Sequence, residues 1–176
     1  KDNAMNKNIA KHYKHEMKSV DIILEGGAIE SNGIDTILAR STSIFNKNRN
    51  KNLPDQTLHN ILKEEFGVQK ILYLKHGYLA GDDTDAHIDT LARFVSKDTI
   101  FYVDIKDEDD EHFQELNKMR QELQLIATKY NYTLVPLPMP EAIYFRDERL
   151  PATYANFLFI NGAILVPTYG AKEDKE

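Results

Sequence analysis

Apolar residues fall into short runs along the chain, and their spacing switches between helical and alternating periods. Met5, Ile9, His12, Tyr13 and Met17 recur at helical spacing within residues 3–20, and "VDIIL" (20–24) follows as a candidate buried strand. "AIESNGIDTILA" (28–39) alternates on both sides of Asn32-Gly33, a pair suited to a tight hairpin turn. An Asn- and Lys-rich loop (46–52) leads to Pro54, which opens a helix that Gly67 should stop, and "VQKILYL" (68–74) reads as a strand. The order then recurs. "HIDTLARFV" (87–95) and "TIFYVDI" (99–105) predict a second hairpin about "SKD", residues 109–130 a helix with acidic residues at its start, and "TLVPLP" (133–138) a strand. A third hairpin is expected from "YANFLFI" (154–160) and "AILVPTY" (163–169), turning at Asn161-Gly162.

Hairpin, helix, strand therefore repeats with a period of about 60 residues. One such unit cannot bury its sheet face alone, so copies arranged around an axis would share a core. An α+β sandwich with accidental recurrence is the alternative. The chain would hold the tail of one unit, two complete units and the hairpin of a further one. Both its ends look like cuts rather than natural termini.

The 176 residues carry a formal charge of −6, which argues against a general nucleic-acid binder, since phosphates demand a basic face. There is no cysteine, so these residues supply neither a disulfide, a thiolate–zinc site nor a thiol nucleophile. No apolar run approaches a membrane span and no leader pattern opens the chain, so a cytoplasmic location is expected.

The negative charge is concentrated in "GDDTDAHID", Gly81 to Asp89, four carboxylates and a histidine without a lysine or arginine. If residues 83–89 are extended, Asp83, Asp85, His87 and Asp89 share a face. Converging carboxylates need a cation: a metal, a protonated histidine, or a ligand's guanidinium or ammonium. A calcium loop of EF-hand type fails, because Ile88 and Phe94 stand where it needs glycine and glutamate. Another metal, or a merely solvated acidic loop, stays open. Glu25 ends the apolar run "DIILEGG", and the two glycines after it permit close approach of another chain or a ligand. Arg93 should form a structural ion pair; His12, His15, His59 and His112 should lie on polar helix faces; Tyr154, Phe157 and Phe159 should be hairpin core.

"LEGGAIE", "NKNRN", "GDDTDAHIDTLARFV", "LPMP" and "LPATYANFLFINGAILVPTYG" resemble, in content and order, the agmatine deiminases of the Porphyromonas-type peptidylarginine deiminase family, from about Leu24 to Gly170. The resemblance implies the pentein fold, an α/β-propeller of five ββαβ units around a pseudo-fivefold axis, with about half of that ring in this chain as a partial catalytic domain (1–176). It implies hydrolysis of agmatine to N-carbamoylputrescine and ammonia, a step towards putrescine, with no metal or organic cofactor. Glu25 and Asp89 would grip the guanidinium, His87 would be general acid and base, and Asp83 would face the distal ammonium. Asp82 and Asp85 would shape the loop. The family's nucleophile is a cysteine near the carboxyl end, and a further guanidinium-binding aspartate lies in an early segment; neither segment is present here. Peptidyl-arginine deimination and a non-catalytic pentein binding module are the alternatives. The expected partner is a small guanidinium cation, with no nucleic acid or membrane and with a homo-oligomer possible.

Overall fold

The computed structural model describes residues 5–175. Two three-stranded sheets dominate it, and they share one topology. In the first, β1 (Ile29–Ser31) pairs antiparallel with β2 (Thr36–Arg40), and β2 pairs parallel with β3 (Lys70–Leu74). In the second, β4 (Ala92–Ser96) pairs antiparallel with β5 (Thr99–Asp104), and β5 pairs parallel with β6 (Thr133–Pro138). A parallel neighbour requires a crossover, which is supplied by helix α4 (Asp55–Glu65) in the first unit and α5 (Phe113–Tyr130) in the second. Two short turns of helix, α2 (Ser41–Ile44) and α3 (Lys47–Asn50), lie between β2 and α4. The expected repetition of ββαβ is therefore present as geometry, although the two units share little sequence.

Each crossover helix buries one apolar stripe. Leu58 and Leu62, one turn apart, carry α4 onto Ile37, Ala39 and Ile44. Leu116, Met119 and Leu123 carry α5 onto Ile100, Tyr102 and Val103. Strand β2 is buried on both faces: Ile37 and Ala39 face the α4 cluster, while Leu38 joins the cluster beneath α5. That shared strand welds the two units into one body. Helix α4 stops as Gly67 adopts a φ of 63°, with Val68 N–H bonding back to Lys63; Asn131, at φ 59°, does the same service for α5.

The segment 20–24, expected as a strand, pairs with none among the described residues. Its backbone is held by a side chain, since Asn50 both donates to the Ile23 carbonyl (2.9 Å) and accepts from the Ile23 N–H (2.9 Å). The helix expected over 3–20 occupies Met5–Tyr13 (α1), and residues 3–4 of the expected span lie outside the described residues. Asn32-Gly33 turns the first hairpin within a longer loop. Asn32 Oδ1 accepts from the N–H groups of Ile34, Asp35 and Thr36, while Gly33 takes a φ of 73°. A small hairpin not anticipated, β7 (Tyr144–Phe145) with β8 (Glu148–Arg149), turns on Arg146 and Asp147, both at positive φ. The third hairpin is present as β9 (Leu158–Ile160) and β10 (Ala163–Leu165). Tyr154 and Phe157 are buried there as expected, but Phe159 is exposed.

Candidate functional site

Residues 80–91 form an irregular connection between β3 and β4. The expected extended alternation does not occur. Asp85 and Ala86 both adopt left-handed φ values (63° and 60°), and Ile88–Thr90 closes a single 3-10 turn. Two consecutive non-glycine residues in that region are costly, so the surroundings must hold them. Buried Ala86, Ile88 and Leu91 anchor the segment in the core, and Asp82 accepts from the backbone and hydroxyl of Thr84, whose hydroxyl in turn accepts from His87 N–H (3.3 Å). The bend aims the carboxylates in different directions and brings His87 towards Glu25.

His87 Nε2 lies 2.7 Å from Glu25 Oε2. On its other edge, a Cβ built on Gly27 would stand 2.7 Å from His87 Nδ1 and 2.5 Å from Asp89 Oδ2. Gly27 is thus required for the backbone to lie against both side chains, and His87 and Asp89 crowd the same point. The structure brings Glu25, His87 and Asp89 together. Asp89 Oδ1 is buried without a hydrogen-bond partner among the described residues. Burial raises the Asp89 carboxyl pKa above its ordinary value, against the opposing pull of His87 and Arg93. A buried carboxylate oxygen with no donor is suited to receive a cation.

Asp83 is not part of this trio. It is exposed and lines an adjoining cavity of about 530 Å³ with Arg40, Thr42, Tyr78, Asp82 and Asp85. Arg40 is buried there, its Nη2 donating to Thr42 (2.9 Å) while Nε and Nη1 have no partner among the described residues. Burial lowers its pKa. Among the described residues no group of three or more His, Asp or Glu side chains is placed to hold a metal ion.

One residue at the centre of the site had escaped the sequence reasoning as a participant. Arg49, on α3, donates from Nε (2.9 Å) to Glu25 Oε2, with Nη2 2.6 Å from the same oxygen, and from Nη1 to Asp85 Oδ2 (2.7 Å). This guanidinium, more than burial, determines Glu25: it holds the carboxyl below its usual range, with His87 adding to the effect. Asp85 is accordingly a partner of Arg49. The only signal was the "NKNRN" string itself, in which Asn46 caps α3 by accepting from Asn48 N–H (2.8 Å).

Supporting pairs surround the trio. Arg93 donates to Glu30 (2.6 Å) and to the carbonyls of Ala155 and Phe157, and its guanidinium lies 4.8 Å from the Phe157 ring centroid, the structural role expected of it. His76 lies beside Glu115 (3.1 Å). His112, expected on a polar helix face, is 1% exposed instead. Its Nε2 accepts from Ala80 N–H (2.8 Å), so Nδ1 carries the proton donated to Asp110 (2.6 Å), and Asp110 also pairs with Arg149. This chain of bonds ties the start of the acidic loop to the entrance of α5. His59 bonds Tyr73 rather than lying free, while His12 and His15 are exposed.

The chain is similar to known proteins of one family. An agmatine deiminase of Medicago truncatula is 28% identical, over 88% of this chain and 47% of its own length. A cysteine-to-serine variant of the C. jejuni agmatine deiminase, solved with substrate bound, superposes with a TM-score of 0.93 at 47% identity, over 99% of this chain and 51% of that one. The C. jejuni enzyme without that substitution superposes with a TM-score of 0.89 at 45% identity. The fold is that of these penteins, and the chain spans about half the length of the relatives it matches. The sequence model of the Porphyromonas-type peptidyl-arginine deiminases matches residues 1–176, and the chain belongs to that family.

Proposed function

We propose that this chain is the guanidinium-holding part of an agmatine deiminase catalytic domain, with one unit's tail, two whole units and a further hairpin of the pentein ring. The observation that carries the reading is Glu25 on His87 Nε2, with His87 and Asp89 meeting at Gly27 and a donor-free oxygen on Asp89. A planar cation between the two carboxylates is neutralised and oriented together. Its central carbon then faces a nucleophile. The chain contains no cysteine, so a thiolate must come from residues other than these 176. Its attack gives a tetrahedral adduct; His87 passes a proton to the departing nitrogen, and ammonia leaves a thiouronium. His87 then takes a proton from water, whose oxygen attacks the same carbon; as the C–S bond breaks, the adduct's hydroxyl loses its proton to solvent, which frees N-carbamoylputrescine and the thiolate. The agmatine cation and water are consumed; the product, ammonia and one proton balance them.

Asp83, exposed and lining the neighbouring cavity, suits the distal ammonium at the other end of agmatine's flexible chain. The cytoplasmic setting and the putrescine-forming role expected from the sequence go with this reading. Peptidyl-arginine is the second candidate substrate, favoured by the description of the family whose model matches. The test is ammonia release from agmatine and from an arginyl peptide by the full-length protein. Turnover of agmatine with little of the peptide is the expected result; comparable turnover of both overturns the substrate assignment, and turnover of neither favours a binding module.

A further inference from the structure

We propose that Arg49 is a positioning residue of the site: it clamps Glu25 Oε2 and the acidic loop so that Glu25 Oε1 is left as the substrate-facing oxygen. The inference rests on the reading above for what Glu25 grips, and on geometry for what Arg49 does.

Glu25 Oε2 receives Arg49 Nε (2.9 Å) and Nη2 (2.6 Å) and lies 2.7 Å from His87 Nε2, whereas Oε1 has no hydrogen-bond partner among the described residues. One oxygen is saturated and the other is free. The remaining donors of the same guanidinium reach across to the loop, Nη1 to Asp85 Oδ2 (2.7 Å) and Nη2 to the Thr84 carbonyl (3.3 Å). Those contacts fall beside Asp85 and Ala86, whose left-handed backbone turns His87 towards Glu25. Arg49 therefore holds both ends of the Glu25–His87 contact. Its own placement is fixed by the residues around it: Asn46 caps α3, and Asn50 bonds the backbone of Ile23, two residues before Glu25. Adjacent residues of one helical turn thus hold the segment's backbone and its carboxylate. The fork is what permits this, because a lysine ammonium presents no rigid set of donors to two partners at once. Arg49 is not a rival for the substrate's place, since its bonds avoid Oε1 and Asp89.

The experiment compares full-length protein with Arg49→Lys and Arg49→Met, with Lys47→Met as a control on the exposed side of α3. Thermal melting identifies folded variants; if Arg49→Met does not fold, Arg49→Lys carries the comparison. The expected result is a fall in kcat/KM for agmatine of roughly a hundredfold in Arg49→Met, as for other misplaced reacting groups. Arg49→Lys should recover part of it, and the acidic limb of the kcat/KM–pH profile should move to higher pH because Glu25 has lost its guanidinium. A carbon-13 titration of the Glu25 carboxyl should show the same upward shift, whether or not the protein turns over agmatine. An unaltered titration overturns the inference, as does a folded variant with normal kcat/KM or with a lower KM, the latter meaning that Arg49 competes for the site. A wild-type protein inactive on agmatine defeats the proposed function, and the titration still decides the role of Arg49.

Discussion

At the scale of single residues, the site joins three side chains with unequal environments. Glu25 is held ionised by Arg49, whereas Asp89 is made reluctant to ionise by burial and has an oxygen without a donor. Asp89 thus has more to gain from a bound cation. Because its folded pKa is raised, ionisation costs the fold stability as pH rises from the ordinary carboxylate range through that raised value. Asp89→Asn should therefore melt at or above the wild-type temperature at neutral pH while losing agmatine turnover; a strongly lowered melting temperature would contradict this. His87→Ala should lower kcat by roughly a hundred- to ten-thousandfold, the usual worth of a general acid–base, in an ammonia-release assay with the fold intact by circular dichroism. Gly27→Ala would push a methyl into both His87 and Asp89, and should reduce turnover more than it reduces stability. Glu25, His87 and Asp89 were legible because charge at the end of an apolar run, and carboxylates beside an imidazole, are unusual enough to need a reason. Arg49 was not legible, since it lies 24 residues from Glu25 and 36 from Asp85, and only the folded chain joins them. The buried position of His112 was equally hidden, because its burial depends on the backbone N–H of Ala80 rather than on its own helix pattern.

At the scale of elements, periodicity foretold both hairpins, both crossover helices and the strands that follow them, and each helix buries a single apolar stripe. It misjudged segment 20–24 for a physical reason. An apolar run reports burial, but strand formation needs a neighbouring backbone, and here the Asn50 amide occupies that place. The alternation of charges over 83–89 failed similarly, as period-two geometry presumes an extended chain and the left-handed pair at 85–86 breaks it. The apolar stripe of α5 is the firmer case. Leu116→Ala, at a fully buried position, should cost about 2–5 kcal/mol in urea unfolding. A loss below about 1 kcal/mol would mean that the helix is not docked as described.

At the scale of the whole molecule, the second ββαβ unit packs against Leu38 of β2 in the first, and the site lies where residues from β1's approach, α3 and the loop into β4 meet. The hairpin β9–β10 has a different status. Its Leu158, Phe159, Ile160, Ile164 and Leu165 are between 44% and 58% exposed, and a two-stranded ribbon alone is marginal in water. In a protein of the relatives' full length, further units of the ring would cover this ribbon. Amide hydrogen exchange should then be slow over 158–165 in that protein and fast in residues 1–176 alone; equally fast exchange in both would contradict the partial-ring reading. A guanidinium between Glu25 and Asp89 beside His87 would be seen in a crystal structure of the full-length His87→Ala variant with agmatine. The expected result is guanidinium nitrogens within about 3 Å of Glu25 Oε1 and Asp89. Agmatine bound elsewhere, with both carboxylates unengaged, would contradict it.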